Sequence, residues 1–356
     1  MIRKRMIALF LIVGSLIVIG SWKTDIYNIL VFRDSPIFLS KKASVEAKPK
    51  PEKTPLLSEV QPANSPPNPE IDPEQIWSHL ESLVGERYTE NHREFTRNYL
   101  IKQLKQFGLT PTLQTFEQGV NIVAKTPGND PQAPTLLIGA HYDTVPNSPG
   151  ADDNASGIAV ILEVARLFGS KSTANSLEIV FFDQEEPGLL GSLAFTIRPE
   201  NIQNLRDVII LDMVGYACRV EGCQQYPPGL NVAPLLQANG VTSPNKGEFL
   251  VIVGEAQHRD LLASFQGISS RLSKPNLPPV VPLPIPLKGL LTPDVLRSDH
   301  APFWYQNIPA VLVTDTANLR SPYYHQPTDT LDNLDREFLM GSAQVIVNVV
   351  TRLLEY

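Results

Sequence analysis

A chain of 356 residues, 42% hydrophobic and 19% charged, is long enough for one large domain or two smaller ones and has ordinary globular composition. Its net charge of -7 is spread unevenly: residues 1–53 carry +6 and the remainder -13. An acidic body with no basic stripe argues against nucleic acid as a partner, because phosphate binding needs a basic face.

Arg3, Lys4 and Arg5 precede a run of 17 uncharged residues, 6–22. That length is at the short end for a membrane span and long for the apolar part of a signal peptide, and no small-x-small cleavage site follows. The run is therefore expected to be a transmembrane anchor, with a cleaved signal sequence as the alternative. Three basic residues before it, against Lys23 after it, put residues 1–5 in the cytoplasm. The rest of the chain then lies outside, periplasmic or extracellular. Residues 23–70 are expected to be a linker, since the stretch 41–70 holds seven prolines and few large apolar residues. The folded domain is expected over residues 71–356, opening at Pro73 in the first turn of a helix.

Helical and strand signals alternate from there. EQIWSHLESLVG (74–85) and HREFTRNYLIKQLKQFGL (92–109) have apolar residues at helical spacing, and Gly108 is a stop signal. Strands are expected at 112–116, 121–126, 135–142, 176–182, 207–214, 248–254 and 309–315. Several are near-continuous apolar runs, as in strands covered on both faces. Helices are expected between them at 155–169, 188–197, 258–272 and 335–355. The alternation predicts an α/β fold: a mixed, largely parallel central sheet with helices on both faces. Such sheets bind ligands at the carboxyl ends of their strands. The two cysteines, Cys218 and Cys223, can close a small disulfide in an oxidising compartment, and are too few for a Cys-only zinc site.

Acids and histidines gather at those strand ends. TLLIGA runs into His141-Tyr142-Asp143, SLEIVFF into Asp183-Gln184-Glu185-Glu186, and DVIIL into Asp212. GADDNASG (150–157) opens a helix, and a loop after the last strand carries Tyr324-His325-Gln326-Pro327-Thr328-Asp329. Each alone has a plain reading: GADDNASG as a helix cap, Asp212 as a strand-end cap, His325 as a loop residue. Together they put carboxylates and imidazoles on one sheet edge, where repulsion and desolvation would cost several kcal/mol without a cation. Mixed His/Asp/Glu ligation suits zinc, with manganese or cobalt as alternatives, and one carboxylate can bridge two ions. Asp143 is placed to accept the second imidazole N–H of His141. The adjacent glutamates, at a turn set by Pro187-Gly188, read as one ligand and one general base in fixed relation.

GAHYDTV, GADDNASG, DQEEPGLLGS, LDMVGY, RSDHAPF and YYHQPTDT, in that order, resemble the M28-type metallopeptidases, the co-catalytic zinc aminopeptidases and their relatives. The resemblance runs from about residue 75 to the C-terminus. It implies two zinc ions bridged by Asp153, one completed by His141 and Asp212 and the other by Glu186 and His325, with Glu185 as general base. It also implies a cis peptide between Asp153 and Asn154. The substrate is then a peptide, and the activity that of an exopeptidase, foremost an aminopeptidase. A glutaminyl cyclase is a single-zinc relative whose members depart from GADDNASG, which is intact here. Carboxypeptidase or dipeptidase specificity stays open, as does a non-catalytic peptide-binding ectodomain. Asp299, in Ser298-Asp299-His300, is either a helix N-cap or a neighbour of the site, and His300 is not counted as a ligand. Residues 216–297 are expected to shape the substrate pocket, an apolar wall there favouring an apolar substrate side chain.

Overall fold

The computed structural model describes residues 68–130, 132–227, 232–266 and 277–355. The anchor expected over residues 6–22, and the linker up to residue 67, lie outside the described residues.

Helix α1 (Pro73–Leu83) starts behind Asp72, whose carboxylate accepts the N–H groups of Glu74 and Gln75. Helix α2 (Glu90–Gln106) is capped by the Thr89 hydroxyl and ends before Gly108, whose φ of +84° favours glycine. Eight strands follow: β1 (Thr112–Phe116), β2 (Gly119–Thr126), β3 (Thr135–His141), β4 (Ser176–Phe182), β5 (Leu205–Leu211), β6 (Leu250–Glu255), β7 (Val280–Ile285) and β8 (Ala310–Thr314). They form one sheet in the order β1-β2-β4-β3-β5-β8-β6-β7. The central four, β4, β3, β5 and β8, are parallel, so their carboxyl ends share one edge. Strand β2 runs antiparallel to β4, and β6 antiparallel to β8.

Between the strands lie α3 (Gly157–Phe168), α4 (Leu190–Thr196), α5 (Pro199–Ile202), α6 (Ala233–Ala238), α7 (Arg259–Phe265) and α8 (Ala301–Tyr305). Helix α9 (Arg336–Glu355) follows β8. Alternate strand residues point to opposite faces. Leu136, Ile138, Ile179, Phe181 and Ile209 join the apolar residues of α1, α2, α3, α7 and α9. Leu137, Val180, Phe182, Val208 and Ile210 pack with those of α4, α6 and α8. Phe182 meets Phe195 and Phe303 edge-on, at 5.8 and 6.3 Å between centroids, which fastens α4 and α8 beneath the edge where β4 ends. Helix α9 is long and apolar enough to cross a membrane by length and composition, yet 78% of its most apolar window is buried in the fold.

Two expectations change. The proline-rich stretch read as pocket-forming loop contains β7. Pro282 and Pro284 fit because β7 is an edge strand: the carbonyls of Pro279 and Ile285 face β6, so the even-numbered residues turn their nitrogens outward. Of the helix expected over 258–272, the segment Arg259–Phe265 is helical and Gln266 takes an extended backbone (φ -70°, ψ 139°), while residues 267–272 lie outside the described residues.

Candidate metal centre

His141 is the last residue of β3, and Asp212 follows β5 directly. Strand β4 ends at Phe182, and the chain then turns sharply. Gln184 has φ +59°, and the N–H groups of Gly188 and Leu189 both return to the Glu185 carbonyl. Asp143 sets the height of this turn: its two oxygens accept the backbone N–H groups of Glu185 (3.0 Å) and Glu186 (3.2 Å). Its Oδ1 also lies 3.4 Å from His141 Nδ1, on the side expected from the sequence. The contact with the glutamate turn was not foreseen. Asp183 proves to be an anchor and not a ligand. It accepts from Val120 N–H (2.9 Å) and pairs with Arg93 Nε (2.9 Å), tying the turn to β2 and α2.

GADDNASG is more than a cap. Residues Ala151–Ser156 form a wide, irregular turn in which Asp153 and Asn154 are non-helical, and the Asp153–Asn154 peptide is cis. Asp329 grips this turn through both oxygens, accepting the N–H groups of Asp152 (2.9 Å) and Asp153 (3.1 Å). The Asn154 amide bonds the Leu211 carbonyl and the Met213 N–H on either side of Asp212. One motif therefore registers two acidic residues against each other. His325 reaches the site from a loop at φ +59°, its ring stacked on Tyr324 at 3.7 Å between centroids.

The six expected side chains converge. His141 Nε2 lies 3.2 Å from Asp153 Oδ1 and 3.7 Å from Asp212 Oδ1. His325 Nε2 lies 3.3 Å from Asp153 Oδ2 and 3.0 Å from Glu186 Oε2. Donors held ~2.0–2.2 Å from one tetrahedral cation sit ~3.3 Å apart, so these spacings fit a shared ion on each side of Asp153. Glu185 offers an oxygen within 4.8 Å of donors from His141 and Asp212. A cavity of about 340 Å³ adjoins Asp143, lined by Tyr88, Arg93, Gln184 and Pro187.

Charge is poorly balanced by protein groups alone. Burial, then the carboxylates of Asp212, Asp299 and Glu186, raises the Glu185 carboxyl well above its ordinary range. Burial and the Asp153 carboxylate push Glu186 up to about 7. Burial opposes charge on both histidines, but the acids outweigh it: His141 is raised well above its usual value and His325 to about 9. Asp153 is held below the usual range despite burial, because His141 and His325 flank it. Glu186 Oε1 is buried without a hydrogen-bond partner. A centre in which carboxyls seek protons and imidazoles are pulled toward charge fits divalent cations.

Two more residues adjoin this centre: Asp299, for which the sequence left the site-neighbour reading open, and Arg87, which the sequence did not single out. Asp299 is fully buried with both oxygens unbonded, and burial lifts its pKa to about 7 beside His141, Asp143 and Asp212. It caps no helix: α8 begins behind His300 with no side-chain cap, so the N-cap reading of Asp299 fails. His300 turns away, bonding the Val295 carbonyl at 2.8 Å. Arg87, between α1 and α2, is buried beneath the site and gives its donors to the carbonyls of Leu83, Gly85, Tyr142, Pro149 and Gly150. It holds together the loops that carry His141 and Asp153. Arg87→Met is expected to destabilise the fold by about 3 kcal/mol or more, since buried carbonyls lose their donors. Chemical denaturation measures this, and an unchanged midpoint would refute it. Only an arginine on a loop marks this role in the sequence.

Peptidase family M28 matches residues 121–350. The Escherichia coli protein YfbL, described as uncharacterized, is 34% identical over 244 residues, a match covering 65% of this chain and 70% of that protein. Among solved structures, the Legionella pneumophila LapA aminopeptidase superposes with a TM-score of 0.62 at 21% identity, over 80% of this chain and 73% of LapA. A Bacteroides thetaiotaomicron glutaminyl cyclase gives 0.57 at 20%, over 80% of this chain and 99% of the cyclase. At these identities the two structures share the fold, which serves both activities. With the family match spanning most of the folded domain, the chain belongs to peptidase family M28 and is a metallopeptidase.

Proposed function

We propose that this metallopeptidase is an aminopeptidase that works with two zinc ions. One observation carries the reading: the two oxygens of Asp153 face different histidines, His141 at 3.2 Å and His325 at 3.3 Å. A carboxylate divided in this way is the bridge a two-ion centre needs. His141, Asp153 and Asp212 would hold one ion, and His325, Asp153 and Glu186 the other. Bound there, the ions would polarise the scissile carbonyl and bring the pKa of a water toward ~7.

Glu185 would accept the proton of the attacking water and deliver it to the leaving amine. Glu185 lies within reach of the donors of His141 and Asp212, so it is placed to hold the proton between the two steps. Asp143 keeps Glu185 and Glu186 in register through their backbone N–H groups, so the base stays in place while its neighbour ligates. The unpaired acids would also receive a substrate's free amino terminus, which favours exopeptidase action at that end. The Cys218–Cys223 disulfide supports an extracytoplasmic location, with the anchor over residues 6–22 as tether.

Metal analysis and hydrolysis of leucine p-nitroanilide by the purified chain test the reading. Two zinc ions per chain and chelator-sensitive release of the aniline are expected. One ion, with pyroglutamate formed from an N-terminal Gln peptide, would assign a cyclase. No bound metal would return the domain to a peptide-binding role.

A further inference from the structure

The arginines around the centre are committed to the fold, with one exception. Arg87 is spent on backbone carbonyls, Arg93 on Asp183, Glu90 and the Tyr88 carbonyl, and Arg320 on Gln224 and the carbonyls of Tyr216 and Phe249. Arg297 is exposed and forms no ion pair among the described residues. Among the described residues its side-chain hydrogen bond runs from Nη2 to the Tyr324 hydroxyl at 2.8 Å. A guanidinium carries five N–H donors in a planar fork, so most of this one faces solvent.

Its position is nonetheless fixed. The Arg297 guanidinium carbon lies 5.6 Å from the Tyr324 ring centroid, and that ring stacks on His325. Two residues further on, the chain buries Asp299 beside Asp212 and Glu185. Arg297 thus stands one side-chain layer from a proposed ligand, a held cation at the lip of an acidic centre. The acids suit the amino end of a substrate, and a forked, open cation suits its carboxylate end. The guanidinium lies at most about 9 Å from the His325 ring, a gap that one residue beyond the cleaved bond (~3.8 Å of chain) and a carboxylate–guanidinium contact together span.

Building on the aminopeptidase reading, we infer that Arg297 receives the free C-terminal carboxylate of the substrate, so that the enzyme prefers dipeptides to C-terminally blocked or longer peptides. The test compares kcat/KM for Leu-Ala and Leu-Ala amide on the zinc-loaded full chain, with R297Q and R297K beside the wild type. The wild type is expected to favour the free acid about tenfold, as one charge-assisted pair allows. R297Q brings that ratio to about one. R297K falls between, keeping the charge and losing the fork. Arg297 is exposed, and unchanged metal content in the variants verifies that the centre is intact. Equal rates on acid and amide in the wild type, or a preference that survives in R297Q, overturn the inference and leave the aminopeptidase reading standing. Hydrolysis of neither peptide overturns both.

Discussion

Replacing Glu185 with glutamine is expected to lower kcat by about 10³-fold while two zinc ions per chain remain bound. The substitution keeps the size of the side chain and the backbone N–H held by Asp143, and removes only the ability to accept a proton. The location of Glu185 makes the metal measurement decisive. Its carboxylate is close enough to His141 and Asp212 to ligate, so geometry alone allows two roles. A base leaves metal content untouched when neutralised, whereas a ligand does not. Stopped-flow rates and metal analysis on the same preparation separate the two. Loss of one ion in Glu185→Gln would make it a ligand, and near-normal turnover would dismiss it from the chemistry.

Asp153→Asn is expected to have a broader effect, taking metal content below one ion per chain and activity below detection. An amide has one acceptor oxygen, so it cannot serve two cations from opposite sides. The contrast is with His325→Ala, which should remove one ion only, since His141, Asp153 and Asp212 stand on the other side of the bridge. Circular dichroism establishes that both variants fold. Retention of two ions by Asp153→Asn would show that the carboxylate does not bridge.

The sequence disclosed the sheet wherever a strand is buried on both faces. β3 and β4 are uninterrupted apolar runs, buried at every residue, and their limits were read to within one residue. β7 was hidden because its prolines mimic a loop, and only the sheet's edge reveals that their missing N–H groups are harmless. The centre was legible for a related reason: a parallel sheet gathers strand ends, so acids placed after apolar runs must meet. What holds those acids was not legible. Asp183, Asp329 and Arg87 act across 60 to 180 residues of chain, through contacts with no local spacing to announce them. Asp299 reads equally as a cap and as a neighbour of the site in the sequence, and only its burial in the assembled fold decides between them.

The apolar helix α9 has a consequence during biogenesis. Before the domain closes, a 20-residue segment of this hydropathy resembles a membrane span by length and composition. Gln344 and Asn348 lie on that segment, bonded to each other at 3.0 Å, and the Gln344 amide also bonds the Pro69 carbonyl. In lipid the contact with Pro69 is lost and two amides must be dehydrated, while in the fold they are housed. The pair thus makes the packed fold a better environment for this segment than a lipid interior.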